Sequence, residues 1–277
     1  MTSEMPTPAP FPILQDRLRF APWMDEKSRR LPGVMPMEPG HWLQHDEARM
    51  GQLAEKARLL AEAPDRVHAL SDGARPAAQE LLDHVLSDLD KTEGFTLTDG
   101  RVALPDGTLV VIDHSNPLIT LSQLIQEDLV IMEKPEGSDE HVLTGALLCF
   151  PASWTLAQKY MKPLVAIHVP VDNYDENVAK RVQRMFDAIR PERPLWRANA
   201  LFYEDPPLFQ PREENAPRVK PKLAIAPYVR SERQSMVRLP KTNAVIFSIH
   251  TTLILRENLT PEQAAALIDH PIEDVPA

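Results

Sequence analysis

Two long strand-like runs joined by a short loop constrain this chain more than any other feature. Residues 228–237 and 244–255 are connected through Leu239-Pro240-Lys241-Thr242-Asn243, a natural hairpin. A hairpin commits its two strands to antiparallel pairing. Shorter strand candidates lie at 95–98, 109–112, 129–132, 142–150 and 195–203, with Pro105-Asp106-Gly107 as a turn between the first two. Strands mixed with helices and hairpin-like connections predict an α+β fold, a mostly antiparallel sheet with flanking helices.

The helices announce themselves by spacing. Met50, Leu53, Ala57, Leu60 and Ala61 make one apolar stripe that stops before Pro64. Leu81, Leu82, Val85, Leu86 and Leu89 make a second, with Pro76 in its first turn. His68 and His84 sit among these packing helices and read as structural or exposed. Pro117 opens a third helix through Leu118, Leu121, Leu124 and Ile125. Near the end, Thr260-Pro261-Glu262-Gln263 offers threonine at N-cap, proline at N1 and glutamine at N3, a capping box.

Residues 147–189 hold the middle of the chain together. The apolar run Leu147-Leu148-Cys149-Phe150 reads as a buried strand stopped by Pro151, and residues 154–160 as a short helix. A second strand-like run, 164–167, ends in His168 before a Pro170-Val171 turn. Val178, Val182, Met185, Phe186 and Ile189 then fall on one helical stripe. Ahead of all this, residues 1–40 carry prolines at 6, 8, 10, 12, 22, 32, 36 and 39. Proline fixes φ and removes a donor, so this arm is expected to be extended and non-helical, disordered over its first ten residues. Phe11, Ile13, Leu14, Leu18, Phe20 and Trp23 would strap the remainder onto the body. The reading divides the chain into an arm (1–40), a main domain (41–257) and a C-terminal helix and tail (258–277), with no internal repeat.

Composition removes several functions. With 40 acidic and 30 basic side chains the net charge is −10, the wrong balance for a sequence-independent nucleic-acid binder. No apolar run approaches about 18 residues, so no membrane span is expected; nor is a secretory signal, since no apolar stretch follows a basic start. The single cysteine, Cys149, excludes an intrachain disulfide framework and fits a reducing compartment, so a cytoplasmic protein is expected. One cysteine also falls short of the roughly four that an iron–sulfur cluster needs. No GxGxxG opens a helix after a strand, so no Rossmann nicotinamide or flavin site is signalled.

Several residues invite chemistry. His168 stands between an apolar run and a proline-fixed turn, where an imidazole is held rigidly; it reads as a satisfied histidine at a strand end or as a metal ligand. Cys149 reads as a buried thiol, with a thiolate ligand as the alternative. His41 and His45 are spaced i, i+4, which suits a metal on a helix but lacks a third ligand. Charge interrupts the strand at Arg230-Ser231-Glu232-Arg233-Gln234. Alternation puts Val229, Arg233 and Val237 on one face and Tyr228, Glu232, Gln234, Met236 and Arg238 on the other. A charge facing inward needs a partner, and a guanidinium offers forked donors to an anionic group; the plainer reading is a surface strand with Glu232 paired locally. Arg197 and Asn199, within Trp196-Arg197-Ala198-Asn199, share one strand face as well.

The run CFPASWTLAQKYMKPLVAIHVPV, followed by PLWRAN and DPPLFQ and then RSERQSMVRLPKTNAVIFSIHT, resembles the haem-dependent oxidative N-demethylase family, proteins similar to the large subunit of dimethylamine monooxygenase. The resemblance covers roughly residues 30 to 257. It implies a PAS-like α+β fold holding one haem b with its iron, and O₂-dependent N-demethylation of a small methylated amine with release of formaldehyde. By the same resemblance His168 is the axial metal ligand. Arg233, Glu232 and Gln234 are catalytic candidates, with Arg233 lining the distal pocket. His168, Arg197, Asn199 and Arg238 are cofactor-binding candidates. Electrons would come from a flavin and iron–sulfur reductase on another chain. Two positions depart from the family pattern, Ala200 where an aromatic is common and His250 where arginine is common. They leave open a PAS-like haem or small-ligand sensor without turnover, or a haem-free structural subunit.

Overall fold

The computed structural model describes residues 12–29, 33–168, 176–214, 216 and 226–272, without the side chains of 168 and 176–179. In chain order its elements are β1 (Met35–Pro36), α1 (Arg49–Glu62), α2 (Pro64–Val67), β2 (His68–Leu70), α3 (Arg75–Leu89), β3 (Thr96–Thr98), β4 (Arg101–Ala103), β5 (Leu109–Val111), α4 (Pro117–Leu124), β6 (Asp128–Glu133), β7 (Val142–Leu147), α5 (Leu156–Lys159), α6 (Leu164–His168), α7 (Glu176–Ala188), β8 (Leu195–Tyr203), β9 (Tyr228–Arg238), β10 (Val245–Leu255) and α8 (Pro261–Asp269). Seven strands form the main sheet in the order β1-β8-β9-β10-β6-β7-β2, and β3-β4-β5 form a small second one. Every pairing among these strands is antiparallel.

The predicted hairpin is β9–β10, paired over eleven positions from Val245↔Arg238 to Leu255↔Tyr228. Its turn is clamped from α3: Glu80 accepts the backbone N–H of Lys241 at 2.6 Å and of Thr242 at 2.7 Å, and the Thr242 hydroxyl at 2.6 Å. Asn243 takes the left-handed conformation at φ +60°, which asparagine tolerates better than most residues. The capping box at Thr260 and Gln263 forms as its spacing predicts.

Directly opposed residues of an antiparallel pair share a face, and the register sorts the sheet into two. One face carries Arg197 and Asn199 of β8, Glu232, Gln234 and Met236 of β9, Phe247 and Ile249 of β10, and Val130 of β6. Helices α5, α6 and α7 pack there, where Leu156, Leu164, Phe186 and Ile189 join Val130, Met236 and Ile249 in one apolar cluster. The opposite face presents Val237, Ile246, Ile131 and Leu147 to Leu81, Leu82, Leu121 and their neighbours on α3 and α4. Each large side chain so buried contributes about 1.5–3 kcal/mol.

Several expectations change. The run at 164–167 is one helical turn, not a strand. A short apolar run is ambiguous by period, and here the Glu140 carboxylate accepts the Val165 N–H at 3.0 Å, as an N-capping group does. The strand expected at 142–150 stops at Leu147. His68 lies in β2 rather than among helices, and His41 and His45 precede α1 in a loop. Strands β1, β2 and β4 were not expected from sequence; two or three residues carry no readable alternation. The strap is present over residues 12–29, apart from a single 3₁₀ turn at Pro22–Met24. Leu18 and Trp23 bury against Ala200, Phe202 and Ile254, while residues 1–11, including Phe11, lie outside the described residues.

Strand β6 pairs with β10 only as far as Asp128↔Ile249. Beyond that point buried backbone groups of β10 need other partners. Gln15 of the strap supplies them: its N–H donates to Leu253 O at 2.9 Å, and its Oε1 accepts from Leu253 N at 2.8 Å. Its Nε2, with that of Gln52, donates to Thr251 O. The same Nε2 reaches Asp46 at 3.0 Å.

Asp46 leads into a buried ionic network. His250, 4% exposed, places Nε2 2.9 Å from Asp46 and Nδ1 3.3 Å from Glu127. Burial alone would lower the imidazole's pKa, but the two carboxylates override it and hold it at about 9. Burial pushes Asp46 up; the bond to His250 wins and holds it at about 2. Stability from His250 is therefore complete below its unfolded value of 6.5 and is lost as pH rises through about 9. That from Asp46 is complete above 3.8 and is lost as pH falls toward about 2. Thermal melts should show a plateau between these limits and a decline on the alkaline side. His250→Gln should remove the alkaline decline and destabilise at neutral pH by about 3–5 kcal/mol, since it strands two buried carboxylates. An unchanged alkaline limb in the variant would refute the assignment.

Candidate functional site

The polar residues of β8 and β9 meet because of register. Arg197 opposes Gln234 and Asn199 opposes Glu232, so all four share the face covered by α5, α6 and α7. The Glu232 carboxylate is held at both oxygens, by Arg230 NH2 at 3.2 Å and by Gln234 Nε2 at 3.2 Å. Arg197 lies diagonally from it. Burial lowers the Arg197 guanidinium, against the attraction of Glu232, and among the described residues its buried Nε has no hydrogen-bond partner. This polar band adjoins the apolar patch of Met236, Phe247, Ile249 and Val130, several of them under α7.

Arg233 is elsewhere. Alternation turns it to the opposite face, as the sequence pattern requires, where its guanidinium stacks 4.0 Å from the Trp196 ring centroid and NH2 donates to His41 O at 2.8 Å. Across the ladder it opposes His250. The three catalytic candidates therefore divide, with Glu232 and Gln234 on one side of the sheet and Arg233 on the other. Ala200 and His250 also lie on the Arg233 face, away from the band.

Each nitrogen of Arg238 already donates to a backbone carbonyl. Nε donates to Ile189 O at 2.6 Å, NH2 to Phe186 O at 2.5 Å and NH1 to Asn243 O at 2.5 Å. It ties the C-terminal end of α7 to the hairpin turn. A cavity of about 700 Å³ opens beside it, lined also by Lys134, His141, Asp187 and Arg190, but none of Arg197, Asn199, Glu232 and Gln234 lines it. Lys134 there is already paired with Asp187 at 3.0 Å. The polar band, where the Nε atoms of Arg197 and Arg230 are buried without a hydrogen-bond partner among the described residues, is the better candidate.

His168 closes α6, whose Leu164 and Ile167 pack into the same cluster as α7; its side chain lies outside the described residues. Lys159 fixes the end of this helix, its Nζ bonding to Ile167 O and, at 2.8 Å, to Glu214. Cys149 is fully buried, and burial pushes its thiol up, with Asp128's charge adding to the effect. It is held as a thiol in the core. Among the described residues no group of three or more His, Cys, Asp or Glu side chains could hold a metal ion, and His45 packs against the Phe95 ring at 4.9 Å.

Arg230 is the residue whose role the sequence reading did not see. Only 2% exposed, it donates through NH1 to Leu208 O at 2.9 Å and through NH2 to Phe150 O at 2.5 Å as well as to Glu232. Its signal was available: it stands two residues before Glu232, on the same strand face.

Replacing Arg238 by Met should lower the melting temperature and speed amide exchange in the last turn of α7. Leaving buried carbonyls unpaired costs about 1–3 kcal/mol. Unaltered exchange in that turn would show that the bonds to Phe186 and Ile189 contribute nothing.

No helix among the described residues is long and apolar enough to cross a membrane. The model of one protein family, haem-dependent oxidative N-demethylase, alpha subunit-like, matches residues 33–277. That description carries haem dependence, an oxidative N-demethylase-like activity and a place as one subunit of a larger assembly. With the match extending over nearly all of the chain beyond the strap, this protein belongs to the haem-dependent oxidative N-demethylase alpha subunit-like family.

Proposed function

We propose that the chain is a PAS-like haem protein that catalyses O₂-dependent N-demethylation of a small methylated amine in the cytoplasm. The net reaction takes one N-methylamine, O₂, two electrons and two protons to the demethylated amine, formaldehyde and water. The observation that carries the reading is the polar band on the α5–α7 face, half-buried at Arg197, Asn199 and Gln234 and buried at Glu232. Arg197, whose Nε has no hydrogen-bond partner among the described residues, adjoins an apolar patch there. The guanidinium would suit a haem propionate, being a forked donor to an anionic group, while Val130, Met236 and Ile249 beside it are already buried in the cluster under α7.

Arg197, with Asn199 beside it, would hold a propionate of haem b, and His168 at the end of α6 would be the residue that binds its iron. When bound, the haem iron supplies the redox chemistry on O₂ and the N-methyl group. Glu232 and Gln234 would line the substrate side, with the carboxylate fixed by its two hydrogen bonds. Arg238 and Arg233 fall outside this arrangement, since one is committed to α7 and the other faces the opposite side of the sheet. Two electrons must arrive from outside. With one cysteine, buried as a thiol, the chain lacks ligands for an iron–sulfur relay, so a flavin and iron–sulfur reductase on another chain is the proposed donor.

The purified protein should show a Soret band. His168→Ala should lose it with little change in melting temperature, while Cys149→Ala should keep it. Given reductase, O₂ and secondary or tertiary methylamines, the loaded protein should release formaldehyde; full haem loading and reduction without product from any of them would overturn the activity. Anaerobic mixing with NADH or NADPH alone should leave the haem ferric. Rapid reduction without a second protein would remove the need for a separate reductase.

A further inference from the structure

Of the charged side chains on the candidate face, Arg230 is the most deeply buried. It ranks among the largest fully buried side chains of the described chain, and its guanidinium also sits 5.6 Å from the Tyr203 ring. Two carbonyls from separate segments, Phe150 after β7 and Leu208 before β9, fix the plane of its fork. A guanidinium whose plane is fixed has set directions for its remaining donors. One of these meets Glu232 Oε1 at 3.2 Å, and Gln234 meets the other oxygen.

Each carboxylate oxygen accepts more than one hydrogen bond. Glu232 thus keeps acceptor capacity at both oxygens while neither is free to swing. It makes no hydrogen bond to Arg197, which attracts it only at a distance. In the band formed by Arg197, Asn199, Arg230, Glu232 and Gln234 it is the one acid. Small alkylamines, like the lysine side chain, are protonated at neutral pH, and a secondary ammonium presents two N–H donors. A fixed carboxylate with open acceptor sites complements that group, because a charge-assisted bond needs an acceptor already in place.

We infer that Arg230 is a positioning residue that fixes the Glu232 carboxylate as the acceptor recognising the ammonium group of the methylated amine. The inference deepens the function proposed above and rests on its placing of the substrate on this face. Lysine in place of Arg230 retains the charge but is a point donor, unable to hold three acceptors in one plane. Arginine at this site therefore does more than neutralise Glu232.

Ligand-observed NMR titration of the protein as purified tests this, with dimethylammonium as the probe and isopropanol as its neutral counterpart of similar size. This readout does not depend on the Soret band or on turnover, so a failed haem assignment and a failed Glu232 assignment give different results. Glu232→Gln should weaken dimethylammonium binding about tenfold to a hundredfold, the range for a hydrogen bond to a charged group, and change isopropanol binding by less than about twofold. Arg230→Lys should show the same selective loss at about tenfold, with circular dichroism confirming the fold. Equal losses for both probes in a folded Arg230→Lys protein would reduce Arg230 to a brace between Phe150 and Leu208. Wild-type affinity of Glu232→Gln for dimethylammonium would overturn the recognition role outright.

Discussion

Alternation along β9 is the constraint on which the rest of this molecule depends. With a period of two, a strand cannot place neighbouring residues on one side of a sheet. Five consecutive polar residues, 230 to 234, are therefore divided between two environments. Arg230, Glu232 and Gln234 go to the face under α5, α6 and α7, while Ser231 and Arg233 go to the face under the strap and the loop before α1. Eleven paired positions with β10 and nine with β8 lock that division. Slipping the register by one residue would exchange every member of the two sets.

The division gives the two faces different kinds of polarity. On the strap side, His250 lies between Asp46 and Glu127, Gln15 and Gln126 donate to Asp46 and the Gln44 N–H donates to Glu127 Oε1, while Glu127 Oε2 has no hydrogen-bond partner among the described residues. On the other side Arg197 keeps an unused donor and Glu232 keeps unused acceptors. Ala200 and His250 both lie on the strap side, away from the candidate band.

Much of this was legible from residue order. The β9–β10 hairpin, the strand β8, the helices α1, α3 and α4 and the capping box of α8 all follow from spacing and turn chemistry, because each is decided within a few residues. The separation of Arg233 from Glu232 was equally readable from period two; naming all three as one catalytic set followed the family resemblance rather than the strand. What spacing did not reveal depends on distant partners. Residues 164–167 become a helical turn because Glu140, far from them in sequence, caps it. Arg238 reads as a free cation until α7 is seen to end against it. Arg230 acquires its role from Phe150 and Leu208, each on a different segment, and no periodicity reports such a meeting.

The overhang of β10 past β6 has a further consequence. A strand that outruns its neighbour exposes a stub of unpaired backbone, the kind of edge on which another chain can add a strand. Gln15 occupies that stub with one backbone and three side-chain contacts to β10 and Asp46, at Thr251, Leu253 and the carboxylate. A single glutamine thus does the work of a strand too short to merit one. Pro12, three residues before it and without an N–H, cannot carry that pairing further. The strap is in this sense a selvedge, a finished border that lets the widest strand of the fold stop without inviting a neighbour to continue it.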